Sequence, residues 1–129
     1  MATAEKVERF RVLVADDHVI VRQALSKMLK SEPDMEVVGE ASEGQAAIEL
    51  TRRLRPDVVL MDVSMRGMSG VEATRAIHSE MPDVQVIGLS MYEEAEEGMA
   101  MRRAGAVNYV SKAGPSNALI AAIRACRPH

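Results

Sequence analysis

Three aspartates and one lysine are the residues of this 129-residue chain whose types and spacing best suit joint chemistry. Asp16 and Asp17 close the apolar run Phe10-Arg11-Val12-Leu13-Val14-Ala15, Asp62 closes Asp57-Val58-Val59-Leu60-Met61, and Lys112 closes Val107-Asn108-Tyr109-Val110-Ser111. A short β-branched run that stops at a charge reads as a buried strand whose last residue emerges at the end of a sheet. If the strands are parallel and adjacent, the carboxylates and the ammonium converge on one small site. Carboxylates crowded together repel one another unless a cation intervenes. Mg2+ fits that need, because it takes oxygen ligands, uses few protein carboxylates and accepts phosphate oxygens. Lys112 adds a compact positive charge, and Ser90 adds a hydroxyl after the run Val84-Gln85-Val86-Ile87-Gly88-Leu89. Together they suit phosphoryl transfer onto an aspartate, with Asp62 as the nucleophile. Such transfer needs positioning and charge neutralisation more than acid–base work.

Positioning these groups requires strands that alternate with helices, and the chain alternates strand-like and helix-like segments five times. Val21, Leu25, Met28 and Leu29 recur at helical spacing after the first strand, and Met35–Ala41 reads as a second strand near an edge. Ser42 and Gln45 stand at capping-box spacing before a helix with Ala47, Leu50 and Leu54 on its buried face, and Pro56 follows its end. Ser69 and Glu72 repeat that spacing, so a third helix starts near Gly70, and Pro82 closes it. The fourth helix has Glu93, Glu94, Glu96 and Glu97 early and Arg102 and Arg103 late, an order that complements the helix dipole. Its apolar face is thin, mainly Ala95, Met99 and small residues, with Gly98 weakening the middle and Gly105 suited to C′. A helix so poorly furnished docks weakly and can move. The last helix begins near Pro115 and buries Leu119, Ala122, Ile123 and Cys126. This alternation argues for an α/β fold, a parallel sheet with helices on both faces, in which ligands bind at the carboxyl ends of the strands.

Composition bounds the alternatives. The length suits a single domain over 1–129 with a core of about 10–126. Hydrophobic residues are 47% of the chain and aromatics 2%, so the core is aliphatic and methionine-filled and the lone Tyr109 in a strand run stands out. With 16 basic against 19 acidic residues the net charge is −3, which leaves no basic stripe for nucleic acid. The single Cys126 excludes an internal disulfide and fits a reducing compartment. Met1 to Phe10 holds no signal-peptide core, and no apolar stretch approaches the roughly 20 residues of a membrane span. A cytoplasmic protein with no membrane partner is expected.

Asp16-Asp17 after the first strand, Asp62 after the third, Ser90 after the fourth and Tyr109-Val110-Ser111-Lys112 at the fifth make the chain resemble the receiver domain of two-component response regulators, from about Phe10 to Cys126. Asp16-Asp17-His18…Arg22 and Met61-Asp62-Val63-Ser64-Met65…Gly67-Met68-Ser69-Gly70-Val71-Glu72-Ala73-Thr74 are most similar to the NarL/FixJ (LuxR-type) subfamily. The resemblance implies a flavodoxin-like doubly wound (βα)5 fold with a parallel five-stranded sheet in the order 2-1-3-4-5. It implies that Asp62 takes a phosphoryl group from a sensor histidine kinase. Asp17, Asp62 and the Ser64 carbonyl would bind Mg2+ directly, with Asp16 acting through water. Lys112 would pair with the phosphoryl group, and Ser90 and Tyr109 would act as the switch, reshaping the face made by the fourth helix, fifth strand and fifth helix. Homodimerisation on phosphorylation is a further expectation. So is a C-terminal helix-turn-helix domain, through which alone DNA would be bound. The chain stops at Arg127-Pro128-His129, where a linker would begin. Two departures stand out. Arg66 replaces the family's common Pro and puts a cation near the site mouth. Ala113 follows Lys112 where many receivers have a cis Pro, and a cis bond before Ala costs about 3–4 kcal/mol. Tyr92, two residues past Ser90, would slow dephosphorylation by shielding the acyl phosphate from water.

Plainer readings stand beside these. Ser90 is also a candidate N-cap, His18 a helix start rather than a metal ligand, His78 a solvated group, the Met65–Met68 cluster loop packing, and the run Glu93 to Glu97 a solvated helix start. The functional alternatives are a stand-alone receiver in a phosphorelay, or a Mg2+-dependent aspartyl-phosphate phosphohydrolase. The latter resembles Asp-x-Asp at the third strand, and here Asp62-Val63-Ser64 lacks the second acid. A phosphoryl acceptor rather than a multiple-turnover enzyme is therefore expected. A flavin carrier of similar fold needs Ser, Thr and Gly after the first strand, where this chain has two acids.

Overall fold

The computed structural model describes residues 9–91 and 95–126, so Tyr92, Glu93, Glu94, Arg127, Pro128 and His129, and the stretch before Arg9, lie outside the described residues. The elements run β1 (Phe10–Ala15), α1 (Val19–Lys30), β2 (Met35–Ala41), α2 (Gly44–Leu54), β3 (Val58–Asp62), α3 (Gly70–Glu80), β4 (Gln85–Ser90), α4 (Ala95–Ala104), β5 (Asn108–Ser111) and α5 (Ser116–Ala125). All pairings are parallel, and the sheet order is β2-β1-β3-β4-β5. This is the flavodoxin-like doubly wound arrangement, and the order reverses between β1 and β3.

Alternation along the central strands splits the core in two. Leu13, Ala15, Val59, Met61 and Val86 face one side with Ala47 and Ile48 of α2, Ala73 and Ile77 of α3, and Met101 of α4. Val12, Val14, Val58, Leu60, Ile87 and Leu89 face the other with Leu29 of α1 and Leu119, Ile120 and Ile123 of α5. β1 and β3 are buried almost throughout, as strands covered on both faces must be. Cys126 packs in the second cluster, where burial pushes its thiol pKa up, which agrees with a packing role.

Local chemistry sets most of the boundaries, with three adjustments to the sequence reading. Ser69 caps α3, accepting a hydrogen bond from the Glu72 N–H at 3.2 Å. The similar spacing at Ser42 and Gln45 makes no cap. α2 starts at Gly44 with Glu43 at the N-cap and no side-chain bond there, one residue later than a Ser42 cap would set it, and Gly44 is buried against Met68. Pro115 sits at the N-cap of α5 rather than in its first turn. Among the α4 residues whose burial is described, Gly98, Met101 and Ala104, every third position, are buried, while Met99 is 50% exposed; the Ala95 side chain is not among those described. Spacing thus gave a thin apolar face correctly but the wrong methionine. Gly105 ends the helix at φ 117°, the conformation a C′ glycine supplies.

Gly70 shows how tightly α3 is pressed onto the end of β3. A Cβ there would lie only 1.9 Å from the Asp62 carbonyl oxygen, and the Gly70 N–H donates to the Val63 carbonyl at 2.8 Å. Backbone on both sides leaves nothing soft to yield. Gly70→Ala is expected to cost about 1–3 kcal/mol of stability or more, read from urea unfolding, and a variant as stable as the parent would contradict this packing.

Candidate functional site

The register of the sheet brings the polar strand ends together. Ala15 pairs with Met61, so Asp16 and Asp62 leave adjacent strands at one level. Ser90 pairs with Ser111, and the Lys112 N–H donates to the Ser90 carbonyl at 2.6 Å. The Lys112 ammonium, 3% exposed, lies 2.7 Å from Asp16 Oδ2 and 3.2 Å from Asp62 Oδ1. The described residues contain no cis peptide, so the Lys112–Ala113 bond is trans, and Lys112 nevertheless reaches both acids. Arg66 is exposed on the loop after β3.

Asp62, Ser90, Lys112, Ser64, Val63, Met91, His18 and Glu97 line one cavity of about 160 Å3. The Ser64 N–H donates to Asp62 Oδ1 at 3.3 Å. Oxygens of Asp16, Asp17 and Asp62, with a nitrogen of His18, lie within 4.8 Å of one another, the spacing of a metal-sized pocket. Asp62 Oδ2 and Asp17 Oδ1 are buried without a well-aligned hydrogen-bond donor among the described residues, although the His18 ring lies 3.2 Å from the latter. Such orphaned anionic oxygens are costly unless a cation serves them. An all-oxygen carboxylate set suits a hard divalent ion such as Mg2+.

Two residues do more than the sequence reading assigned them. His18 is the N-cap of α1, as expected of a helix start, but its side chain makes no cap. Its ring turns over the acids instead, with Nδ1 3.1 Å from Asp16 Oδ1 and 3.2 Å from Asp17 Oδ1. Glu97, read as part of a solvated run, is half-buried and accepts a hydrogen bond from the Ser90 hydroxyl at 3.4 Å. Spacing could have flagged neither contact, since both depend on how α1 and α4 meet the sheet. Tyr109 packs against the first core cluster, with its ring under α4.

Burial and neighbouring charge both show in the acids themselves. Burial pushes the Asp62 carboxyl up to about 6; the Lys112 charge opposes that rise and the Asp16 charge adds to it. Burial also pushes Asp16 up, but the Lys112 ammonium and the His18 N–H outweigh it and leave Asp16 below the ordinary carboxylate range.

The response regulator receiver family model matches residues 12–124. The chain is 42% identical over 115 residues to the transcriptional regulatory protein LiaR of Bacillus subtilis (strain 168), covering 89% of this chain and 54% of that protein. It is 37% identical over 116 residues to the nitrate/nitrite response regulator protein NarP of Escherichia coli (strain K12), covering 90% and 54%. The crystal structure of a LuxR-family two-component response regulator from Aurantimonas sp. SI85-9A1 superimposes with a TM-score of 0.87 at 32% identity, covering 91% of this chain and 84% of that one. The chain therefore belongs to the response regulator receiver family, in its NarL/FixJ (LuxR-type) branch. It spans about half the length of the curated relatives it matches.

The raised Asp62 pKa has a stability consequence in the metal-free protein. The folded state holds that proton more tightly than the unfolded chain does, so Asp62 favours folding at low pH. The advantage is lost as pH rises from the ordinary 3.8 through about 6. Asp16, with its lowered pKa, acts oppositely, losing its contribution as pH falls below the usual carboxylate range. Asp62→Asn should remove the loss above pH 6 and gain about 1–3 kcal/mol over the parent near pH 7–8. Urea unfolding across pH measures this, and an Asp62→Asn protein less stable than the parent at neutral pH would refute the assignment.

Proposed function

We propose that this domain is the phospho-acceptor switch of a two-component system, with Asp62 taking the phosphoryl group from a phosphohistidine on a sensor histidine kinase. The observation that carries the reading is Asp62 and Lys112 at 3.2 Å in one cavity, with Ser90 at its wall and two further acids beside it. A carboxylate oxygen of Asp62 attacks phosphorus, a P–O bond forms, the P–N bond to the donor imidazole breaks, and the electron pair leaves with that nitrogen. Lys112 then meets the phosphoryl oxygens from the side where it now meets Asp62. Ser90 offers its hydroxyl to the same group, and Tyr109, under α4, couples that event to the helix.

Asp17 and Asp62, with Asp16 behind them and the Ser64 carbonyl that the family resemblance adds, would hold Mg2+. When bound, the ion supplies positive charge that offsets repulsion between the acids and an incoming phosphate. The elevated Asp62 pKa supports this division of labour. Without added positive charge the acceptor is partly protonated and a poorer nucleophile.

The output is proposed to be transcriptional, since LiaR, a transcriptional regulatory protein, is nearly twice the length of this match. A helix-turn-helix domain C-terminal to the receiver would make the DNA contacts, and phosphorylation would favour a homodimer. None of the described helices is long and apolar enough to cross a membrane. A cytoplasmic site of action, where a kinase's phosphohistidine is accessible, fits the free, buried Cys126.

Incubation with acetyl phosphate and Mg2+ should add one phosphoryl mass to the intact protein. A chelator or Asp62→Asn should abolish the gain, and Lys112→Ala should slow it by about 10-fold or more, as loss of one electrostatic donor to a transferring phosphoryl group does. Size-exclusion chromatography of the same samples reads dimerisation. Full modification of the Asp62→Asn protein would overturn the acceptor assignment.

A further inference from the structure

The early turns of α4 grip both switch residues through consecutive positions. Glu97 accepts the Ser90 hydroxyl at 3.4 Å and lines the cavity that holds Asp62 and Lys112. Gly98, the next residue, is buried, and a Cβ on it would approach Tyr109 Cδ2 to 2.8 Å. On the opposite edge of that ring, a Cβ on Gly88 would lie 2.9 Å from Tyr109 Cδ1. The Tyr109 ring thus occupies a slot between the backbones of α4 and β4, closed by two residues without side chains. The neighbouring Glu96 is exposed, as a glutamate that only complements the helix dipole would be.

We infer that Glu97 is an acidic latch, holding α4 on Ser90 until a phosphoryl group on Asp62 displaces it. The inference rests on the phospho-acceptor reading of Asp62. A serine hydroxyl has one proton to donate. A phosphoryl group brings nearly two negative charges and three strong acceptor oxygens into the cavity, so it competes with Glu97 for that proton. It also repels the Glu97 carboxylate, which lines the same cavity. Attraction of Ser90 to the new group and repulsion of Glu97 by it act in the same direction, away from the docked helix. Among its described side chains α4 buries only Met101 and Ala104, and Arg102 adds an exposed hydrogen bond to Asn108 at 3.4 Å. Loss of the latch also opens the Gly98 side of the Tyr109 slot, so one displacement reaches both switch residues. Glu97 is a positioning residue here: it makes and breaks no bond, and it sets how much phosphoryl binding energy is spent on freeing α4.

The test compares Glu97→Gln with Glu96→Gln, which removes the same charge from an exposed position of the same turn. Two readouts are taken: the Asp62-dependent affinity for beryllofluoride with Mg2+, followed by amide NMR, and hydrogen exchange of α4 amides without metal or beryllofluoride. Glu97→Gln should tighten beryllofluoride binding about two- to tenfold, the range one hydrogen bond is worth, and should speed exchange in α4. Glu96→Gln should leave both near the parent values. In a Ser90→Ala background, adding Glu97→Gln should no longer change the exchange rate. Equal behaviour of the parent and Glu97→Gln, or equal shifts in Glu97→Gln and Glu96→Gln, overturns the latch. A parent protein without Asp62-dependent beryllofluoride binding fails the phospho-acceptor reading instead, and the exchange measurement still judges the contact between Glu97 and Ser90.

Discussion

Carboxylates placed side by side at the end of a parallel sheet repel one another, and the Lys112 ammonium is the charge within the described structure that opposes them from inside the cavity. It sits between Asp16 at 2.7 Å and Asp62 at 3.2 Å and is almost wholly withdrawn from water. The balance is incomplete. Asp16 keeps its charge easily, whereas Asp62 is pushed toward protonation. Burial drives that push more than the Asp16 charge does, and Lys112 offsets it only in part. A divalent ion beside Asp62 would favour its charged form, as the proposed acceptor role requires.

The rest of the fold serves this imbalance. A parallel sheet with both faces covered can expose its strand ends only at the edges, and the reversal of order between β1 and β3 leaves a crevice that no crossover helix covers. Gly70 lets α3 begin directly on the Asp62 backbone, fixing Asp62 in place. Ser69 caps that helix start with its side chain. On the other flank, among the described residues, α4 buries only the side chains of Met101 and Ala104, meets Ser90 and Tyr109 through Glu97 and Gly98, and has an exposed hydrogen bond from Arg102 to Asn108. Asp62 is thus tightly packed on one side and less so on the other, the division that its proposed role in a switch would require.

Much of this was legible in the residues. Apolar runs ending in charges gave β1, β3 and β5, and one ending at Ser90 gave β4, within a residue or two, because buried strands must be apolar until they leave the sheet. Proline and glycine punctuation gave the helix ends, as at Gly105, because backbone geometry there is local. Asp16, Asp17, Asp62, Ser90 and Lys112 were picked out because each stands where a strand ends, and the register of the sheet gathers them at one place. What failed were inferences from spacing alone. Ser42 and Gln45 form no cap, and Met99 is not the methionine that docks α4, since helix rotation is set by the sheet beneath rather than by the helix's own pattern.

By itself the sequence determined the alternation of elements and the chemical types at the strand ends, because both follow from local propensity and from the need to keep charge out of a core. Only tertiary structure decided which groups touch. That His18 leans on the acids, that Glu97 reaches Ser90 rather than water, that two glycines make room for Tyr109, and that Lys112 reaches its partners through a trans bond all depend on how helices settle on the twisted sheet. Those placements arise from packing between residues far apart in the chain, and no short window of sequence contains both partners.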